Sequence, residues 1–343
     1  MEISAVIPTR NRKESLYRLL RSLSNQTYRL KEVAIVDSSD VPLHSDTLRR
    51  DFPRLTILFS TSAASVCLQR NIGIRNCSSS HILLCDDDLE FPENYLAILI
   101  NSMLADQTIG SISGLCIEPN EDGKFYYDFP TVTFRRLLWN FIFQLTVWAD
   151  VENTKTYNIC NPILMFLKSY YRKKGNGFTA AGWPLVTQAG RPYFKTSFYG
   201  LGGSVVRRDW LLASPYDENL DTHGIGDNYG VALGFPSEQP IVVTYHTFVV
   251  HHKIEVNRLP VSLSYYRRIM ALDYFMSQSD RFSTFHRIAL LWSLVGNLLP
   301  QFLQFNIAMA KATLQAMWQI GIDKNPYLQA SHNELTRGMT PIL

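Results

Sequence analysis

The chain has 343 residues, 46% hydrophobic and 18% charged, a globular composition with enough apolar surface for one large core or two modest ones. A formal charge of +3, with no basic stripe interleaved by aromatics, disfavours nucleic acid as a partner. Five cysteines, Cys67, Cys77, Cys85, Cys116 and Cys160, are odd in number, widely spaced and mostly set in apolar runs. This fits reduced core thiols better than a disulfide framework or a zinc site and points to the cytosolic side. Met1-Glu2-Ile3 leads straight into an apolar run without the basic and apolar regions of a signal peptide, so export is not expected.

Over the first 117 residues strand-like and helix-like patterns alternate. Ile3 to Ile7 predicts a strand, and Leu16, Leu19, Leu20 and Leu23 then recur at helical spacing. Glu32 to Val36, ending in Asp37, and Leu55 to Phe59 predict the next two strands. Val66 to Asn76 follows as a helix, His81 to Cys85 as a fourth strand, Tyr95 to Leu104 as a helix and Ile109 to Ile117 as a further strand. Such alternation means βαβ units around a mainly parallel sheet, so residues 1–117 are expected to form a nucleotide-binding half-domain of α/β class.

From 118 to 198 the alternation is lost. Arg136 and Asp150 bracket a charge-free, aromatic-rich stretch, and Lys168, Arg172, Lys173 and Lys174 form a basic cluster before Gly175. Two readings stand side by side here: a helical insertion packed on the core, and an acceptor-binding or membrane-facing surface. A second α/β-like section, 199–260, has Gly202-Gly203 opening a strand, with Ile241 to Tyr245 and Thr247 to Val250 as later strands. Residues 261–343 read as helical. Within them Ile288 to Ala310 runs 23 residues without a formal charge, long enough to cross a bilayer. Asn297, Pro300, Gln301, Gln304 and Asn306 interrupt it, which favours peripheral attachment or ordinary packing over a simple span.

The most informative feature is the run Asp86-Asp87-Asp88 at the end of the fourth predicted strand. Open α/β sheets bind ligands at the edge where such a strand exits. One carboxylate suffices for a helix cap; three adjacent ones repel unless a cation neutralises them, and hard oxygen ligands suit Mg²⁺ or Mn²⁺ carrying a substrate diphosphate.

Four separated stretches lie at predicted sheet edges or beside them: Val6-Ile7-Pro8-Thr9-Arg10-Asn11, Ile35-Val36-Asp37-Ser38-Ser39, Gln69-Arg70-Asn71-Ile72-Gly73, and Asp86-Asp87-Asp88 with Pro92 beyond. In their order and spacing they resemble the family 2 glycosyltransferases of GT-A fold, over residues 3 to about 117 and, less fully, 199 to 255. The resemblance implies a GT-A type Rossmann-like nucleotide-binding fold with a helical insertion and a helical C-terminal region. It also implies a donor site of Pro8, Thr9, Arg10, Asp37, Arg70, Asn71, Asp86, Asp87 and Gly203. Within that site Asp37 would accept from the nucleotide base, Arg70 would lie near base and phosphates, and Asp88 and Asp86 would hold the divalent ion.

The segment from Tyr216 to Asn228 resembles the family's acceptor loop, where an acidic pair precedes a helix, and Asp227 lands on the position of the general base. Gly226 stands where the preceding acid is usual, which leaves Asp221 and Glu218 open as alternatives. His251 and His252 match a histidine position near metal or diphosphate. Adjacent strand residues face opposite ways, so one of them at most points inward, and His251 is favoured as a metal ligand. Gln278-Ser279-Asp280-Arg281-Phe282 differs by one residue from the Gln-x-x-Arg-Trp motif of processive members, but flanking membrane spans are missing, which favours transfer of a single sugar.

The expected function is metal-dependent, inverting transfer of one hexosyl or deoxyhexosyl group from a nucleotide diphosphate sugar to a glycan or lipid-linked acceptor, in cell-surface polysaccharide or glycolipid synthesis. The expected location is the cytoplasm, peripherally on the membrane's cytoplasmic face. Two alternatives stay open: a sugar nucleotidyltransferase, although the first strand lacks the Gly-rich phosphate loop that this chemistry calls for, and an inactive sugar-nucleotide or glycan-binding module.

Overall fold

Every residue of the first strand is buried, the mark of a strand covered by helices on both faces. The computed structural model describes residues 1–118, 130–156, 158–200, 202–220 and 222–332. In chain order the elements begin with β1 (Ile3–Thr9), α1 (Lys13–Ser24), β2 (Glu32–Asp37), α2 (Ser45–Asp51), β3 (Ile57–Thr61), α3 (Val66–Asn76), β4 (His81–Cys85), β5 (Leu89–Glu90), α4 (Tyr95–Ala105) and β6 (Ser111–Ile117). Next come α5 (Phe134–Ile142), β7 (Val147–Trp148), α6 (Asn161–Lys174), β8 (Gly177–Phe178), β9 (Pro184–Val186), β10 (Tyr193–Thr196), β11 (Gly202–Arg207), α7 (Arg208–Ala213) and α8 (Asp227–Leu233). The long strand β12 (Ile241–His251) precedes α9 (Val261–Gln278), α10 (Thr284–Leu303), α11 (Ile307–Gly321) and α12 (Pro326–His332). Two units divide the chain: the first takes the described residues of 1–127, 191–194 and 198–258, the second those of 128–190, 195–197 and 259–343.

The first unit is a twisted sheet in which β12, β6, β11, β4, β1, β2 and β3 lie side by side. The pairs β1–β2, β1–β4, β2–β3 and β12–β6 are parallel, while β11 runs antiparallel to both β4 and β6. Because Val6 pairs with Ala34 on one side and Leu84 on the other, the C-terminal ends of β1, β2 and β4 reach one edge together. Leu16, Leu19, Leu20 and Leu23 of α1 are buried, joining Ile3, Ile7 and Ile35 in one apolar core. Helix α3 approaches β1 so closely that a Cβ on Gly73 would lie 2.5 Å from Val6 Cγ1.

Residues 241–251 were expected as two strands and form one. Its pairing with β6 shifts register between Val243 and Phe248, so the intervening residues leave the ladder without ending the strand. On β6 the bulging backbone faces Gly114, where a Cβ would lie 2.8 Å from the Thr247 carbonyl oxygen. A bulge of this kind interrupts the period-2 pattern, which is why the sequence reads as a break.

The second unit has its own core, with Leu137 of α5, Leu164 and Leu167 of α6 and Leu185 of β9 packed together. A small sheet of β7, β9 and β8 lies within it, β7 parallel and β8 antiparallel to β9. In the helical C-terminal region the fully buried Asp273 accepts from Arg287 Nε at 2.8 Å and Asn325 Nδ2 at 2.9 Å, tying α9, α10 and the start of α12 together. The charge-free stretch from Ile288 to Ala310 is not one helix: α10 ends at Leu303 and α11 starts at Ile307. Among the described residues no helix is long and apolar enough to cross a membrane.

Tyr95 on α4 is a keystone of the first unit. Its hydroxyl donates to the Gly203 carbonyl at 2.7 Å and accepts from Gly114 N–H at 2.9 Å, with the ring fully buried. Tyr95→Phe leaves both backbone groups buried without a partner, and should lower stability by about 1–3 kcal/mol per lost partner. Urea denaturation of the variant and parent, compared at equal m, measures it; an unchanged midpoint would assign β11 some other support.

Candidate functional site

Three successive residues of α3 organise the sheet edge, pointing in three directions as a helix dictates. Gln69 donates from Nε2 to the carbonyls of Thr9 at 2.9 Å and Val36 at 2.7 Å, joining the ends of β1 and β2. Arg70 donates to Asp86 at 2.6 Å and also grips Asp227. Asn71 donates to Tyr216 O and Glu218 Oε1, both at 2.9 Å, and accepts from Tyr216 N at 3.0 Å. A helix that buries this many polar groups is built for a site, since each must be satisfied to be tolerated.

The three aspartates divide the work. Asp86 is partly exposed and paired with Arg70. Asp87 is buried, accepting from Thr9 Oγ1 at 2.8 Å and from Arg12 at 3.0 Å; burial pushes its carboxyl up to about 6 against the pull of those two partners. Asp88 is also buried. Its oxygens lie 3.4 Å from His251 Nε2, 3.2 Å from Arg258 and 3.7 Å from Arg12. Burial alone would raise Asp88, but His251 and the two guanidiniums outweigh it and hold the carboxyl below its ordinary value. His251 responds in kind, with burial lowering it and Asp88 raising it to a net upward shift. His252 turns the other way, its Nε2 lying 2.8 Å from Glu90.

Asp227 stands at the first position of α8, fully buried beside Arg70, and its Oδ1 accepts from Asn228 N–H at 2.6 Å. Burial pushes its carboxyl up to about 6, with Arg70 pulling it down. The residue before it, Gly226, caps the helix at φ 94°, a left-handed conformation in which glycine carries no Cβ penalty. The turn is tight because a Cβ on Gly224 would lie 2.4 Å from Val66 Cγ1 of α3. Gly226 thus belongs to the sharp entry that seats Asp227 on Arg70. Of the alternative bases, Glu218 is engaged by Asn71, and Asp221 lies outside the described residues.

The remaining expected donor residues are placed as follows. Asp37 is buried, with its oxygens accepting from Ser39 N at 2.9 Å and Leu43 N at 2.7 Å of its own loop. Pro8 and Thr9 are buried at the end of β1, and Arg10 lies at the surface with Nη2 3.3 Å from Asp40. At Gly203, φ is 81° and the space of a Cβ is filled by the Phe91 ring at 2.4 Å, so packing already requires the glycine. The edge thus gathers two linked sets, Thr9, Asp87, Asp88 and His251 joined through Arg12, and Asp86 and Asp227 joined through Arg70, with Asp37 and Arg10 on the adjoining loop.

Two residues at the heart of this network escaped sequence reasoning. Arg12 bridges Asp87 and Asp88 and donates from Nε to the Val256 carbonyl at 2.9 Å. Arg258 reaches Asp88 from the segment after β12 and lies 3.3 Å from His251. Neither has a local signal, because their partners are 75 and 170 residues away in sequence.

The side chains that could help to hold a divalent ion are Asp88 and Asp86, with the His251 imidazole 3.4 Å from Asp88. Among the described residues no group of three or more metal-ligating side chains is clustered. Mg²⁺ and Mn²⁺ bound to a diphosphate need one or two carboxylates and complete their shells with phosphate oxygens and water, so the residues present fit. Asp88 would have to exchange a guanidinium for the ion.

The sequence profile of glycosyl transferase family 2 matches residues 4–178, about half of the chain. The chain belongs to glycosyl transferase family 2. An uncharacterized glycosyltransferase of Bacillus subtilis (strain 168), YwdF, is 35% identical to this family 2 chain over 97 residues, which are 28% of the chain and 36% of YwdF. The match thus spans little more than a third of that relative's length. Among solved structures, S. aureus TarS 1–349 matches with a TM-score of 0.51 at 13% identity, over 97% of this chain and 90% of that one. GalNAc-T7, crystallised with UDP, GalNAc and Mn²⁺, matches with a TM-score of 0.52 at 14% identity, over 86% and 56%. The mannosyltransferase PcManGT of Pyrobaculum calidifontis, solved with GDP-Man and Mn²⁺, gives 0.51 at 13% identity, over 96% and 86%. At such identities the likeness concerns the fold, and that fold is GT-A.

Removing the Arg70 guanidinium would leave Asp86 and Asp227 facing each other with no counter-charge. Arg70→Met should cost about 3–5 kcal/mol, the range for breaking a buried ion pair from one side. Chemical denaturation checks this; a loss under about 1 kcal/mol would mean that the two carboxylates find protons or water instead.

Proposed function

We propose that this family 2 chain is an inverting glycosyltransferase, moving one sugar from a nucleoside diphosphate donor to a hydroxyl of a glycan or lipid-linked acceptor at the cytoplasmic membrane surface. The observation that carries the reading is the network at the C-terminal edge of the sheet, where Asp88, Asp86 and His251 adjoin an aspartate, Asp227, set at a helix start. Family membership favours transfer over nucleotide-sugar synthesis. Synthesis of cell-surface polysaccharide or glycolipid is the setting this chemistry suits.

In this reading Asp227 receives the proton of the acceptor hydroxyl as that oxygen attacks the anomeric carbon from the side opposite the diphosphate. Arg70 holds the Asp227 carboxylate in place and favours its ionised form. Mg²⁺ or Mn²⁺, when bound by Asp88 and Asp86 with His251, would neutralise charge on the departing nucleoside diphosphate. Asp87, locked to Thr9 and Arg12, fixes the backbone from which its two neighbours project. Arg12 and Arg258 supply positive charge beside Asp88, where a diphosphate would come to lie.

Asp227→Asn should lower the transfer rate by about 10² or more and leave donor affinity nearly intact. Turnover close to that of the parent would move the base to Glu218 or Asp221. The ionised carboxylate is the form that accepts a proton, so with its pKa raised to about 6 the rate should fall as pH drops through that value. A pH–rate profile flat from 7 to 5 would sink the assignment.

Donor binding should require a divalent ion, because the diphosphate otherwise meets the carboxylates of Asp86 and Asp88. Calorimetric titration of UDP and GDP with Mn²⁺ and then with chelator tests this, and equal affinities would overturn the role given to the triplet. Hydrolysis of donor without acceptor separates an enzyme from a binding module.

A further inference from the structure

The second unit carries an apolar surface that its own core leaves uncovered. On α10, Ile288, Trp292, Leu299 and Leu303 are exposed at spacings of four, seven and four residues, which places them along one side of the helix. On α11, Ile307, Leu314 and Trp318 do the same. The turn between the helices is the extreme point, with Leu303, Phe305 and Ile307 at 80%, 85% and 67% exposure. Single exposed apolar residues need no explanation, but a contiguous set of this size marks an interaction surface.

The turn is built rather than loose. Phe305 sits at φ 53°, a conformation that costs a bulky residue energy and that glycine would adopt freely. It is held by Phe305 N–H to Phe302 O at 3.1 Å and Asn306 N–H to Gln301 O at 2.9 Å, while the Asn306 side chain caps α11 by accepting from Met309 N at 3.2 Å. A phenylalanine kept in a strained turn, projecting outward, is better explained by a partner that it enters than by the stability of the turn.

The same surface extends to α5 and α6. Trp292 donates to the Ile142 carbonyl at 2.8 Å and stacks on Phe143 at 4.8 Å between centroids; Phe141 packs edge-on against Phe166 of α6 at 5.7 Å. Ile142 and Phe166 are themselves exposed, so the apolar face is continuous from α6 to α10. Its charges are mainly positive. From Thr284 to Ile322 the formal charges are Arg287, which pairs with Asp273 and Asp323, and Lys311, which is exposed on the α11 stripe one turn from Ile307. The last turn of α6 adds Lys173 and Lys174, and Arg172, which is paired with Glu152.

We propose that this face docks on an anionic lipid bilayer, with the Leu303–Ile307 turn entering the headgroup and upper acyl region and Lys311 meeting lipid phosphates. Apolar insertion, indole side chains at the rim and a net cationic fringe are the features an anionic interface selects. Neither helix can span, so the helices lie along the surface. A net cationic fringe around an exposed apolar turn favours an anionic bilayer over a protein partner or a second copy. The proposal deepens the reading that places transfer at a membrane surface, and it names the face.

The test is flotation of the full chain with vesicles of phosphatidylcholine alone and of equal parts phosphatidylcholine and phosphatidylglycerol. Neither donor nor acceptor is present, so failure here leaves the glycosyltransferase reading to be judged separately by donor turnover. Binding should be strong to anionic vesicles, weak to neutral ones and reduced by salt. The double variant Leu303→Asn, Phe305→Asn should bind at least about tenfold more weakly. Both positions are exposed and asparagine tolerates the left-handed conformation, so folding should survive, as circular dichroism would confirm. Lys311→Gln should weaken binding to anionic vesicles alone. Unchanged vesicle binding in the double variant overturns the proposal, as does absence of binding by the parent chain. A dimer in solution that the double variant dissociates, without vesicle binding, would assign the face to a second copy.

Discussion

The buried guanidinium of Arg70 is the interaction on which the edge of the first unit depends. Its two carboxylate partners lie 16 and 157 residues away in sequence, so a single side chain fastens the exit of β4 to the start of α8. Taking a charge out of water costs several kcal/mol unless well-aligned counter-charges replace the solvent. The same balance extends outward: the carboxylates of Asp86, Asp87, Asp88 and Asp227 are met by the guanidiniums of Arg70, Arg12 and Arg258. A lone anion or a lone cation entering so nearly neutral a cluster would leave charge uncompensated. In the proposed reading an ion and a diphosphate arriving together would not, which favours joint binding over sequential filling of separate sites.

Position as well as charge follows from α3. Its polar residues are buried because each reaches a different backbone: Gln69 the ends of β1 and β2, Asn71 the segment at Tyr216. Arg70 also lies 5.2 Å from the Tyr216 ring, whose hydroxyl accepts from Tyr199 at 2.8 Å. The exit of β4 and the segment leading into α8 are therefore registered against one helix, and rigidity there limits how far Asp227 can move from Asp86. Gly226 belongs to the same arrangement, since a side chain at its φ would strain the helix entry that seats Asp227.

The sheet was legible because its strands are short apolar runs followed by polar edges; helix α3 and strand β4 fall where the pattern puts them. β3 begins two residues later than read, at Ile57, because Leu55 belongs to the turn closed by its N–H to Phe52 O. Short elements such as α2 and β5 carry too few residues to show a period. At the site the aspartates announce themselves by adjacency, whereas Arg12 and Arg258 acquire meaning through tertiary contact alone. Asp37 shows the converse limit: its place after a strand is readable, but that both oxygens bind its own loop is not.

Hydropathy and charge gave the C-terminal helices an ambiguous reading for a physical reason. Within one charge-free stretch Leu290 and Leu294 are fully buried while Leu299 and Leu303 are exposed, and these four are the same residue type. What separates them is phase around α10 and the break at residues 304–306, neither of which average hydropathy records. Leu290 and Leu294 face the packed side, where Ser293 accepts from Trp183 Nε1 at 2.8 Å. The outward leucines gain nothing from that packing and lose free energy to water. A fold that accepts this cost along two adjoining helices, and adds a phenylalanine in a left-handed turn between them, has an apolar surface whose use lies outside its own core.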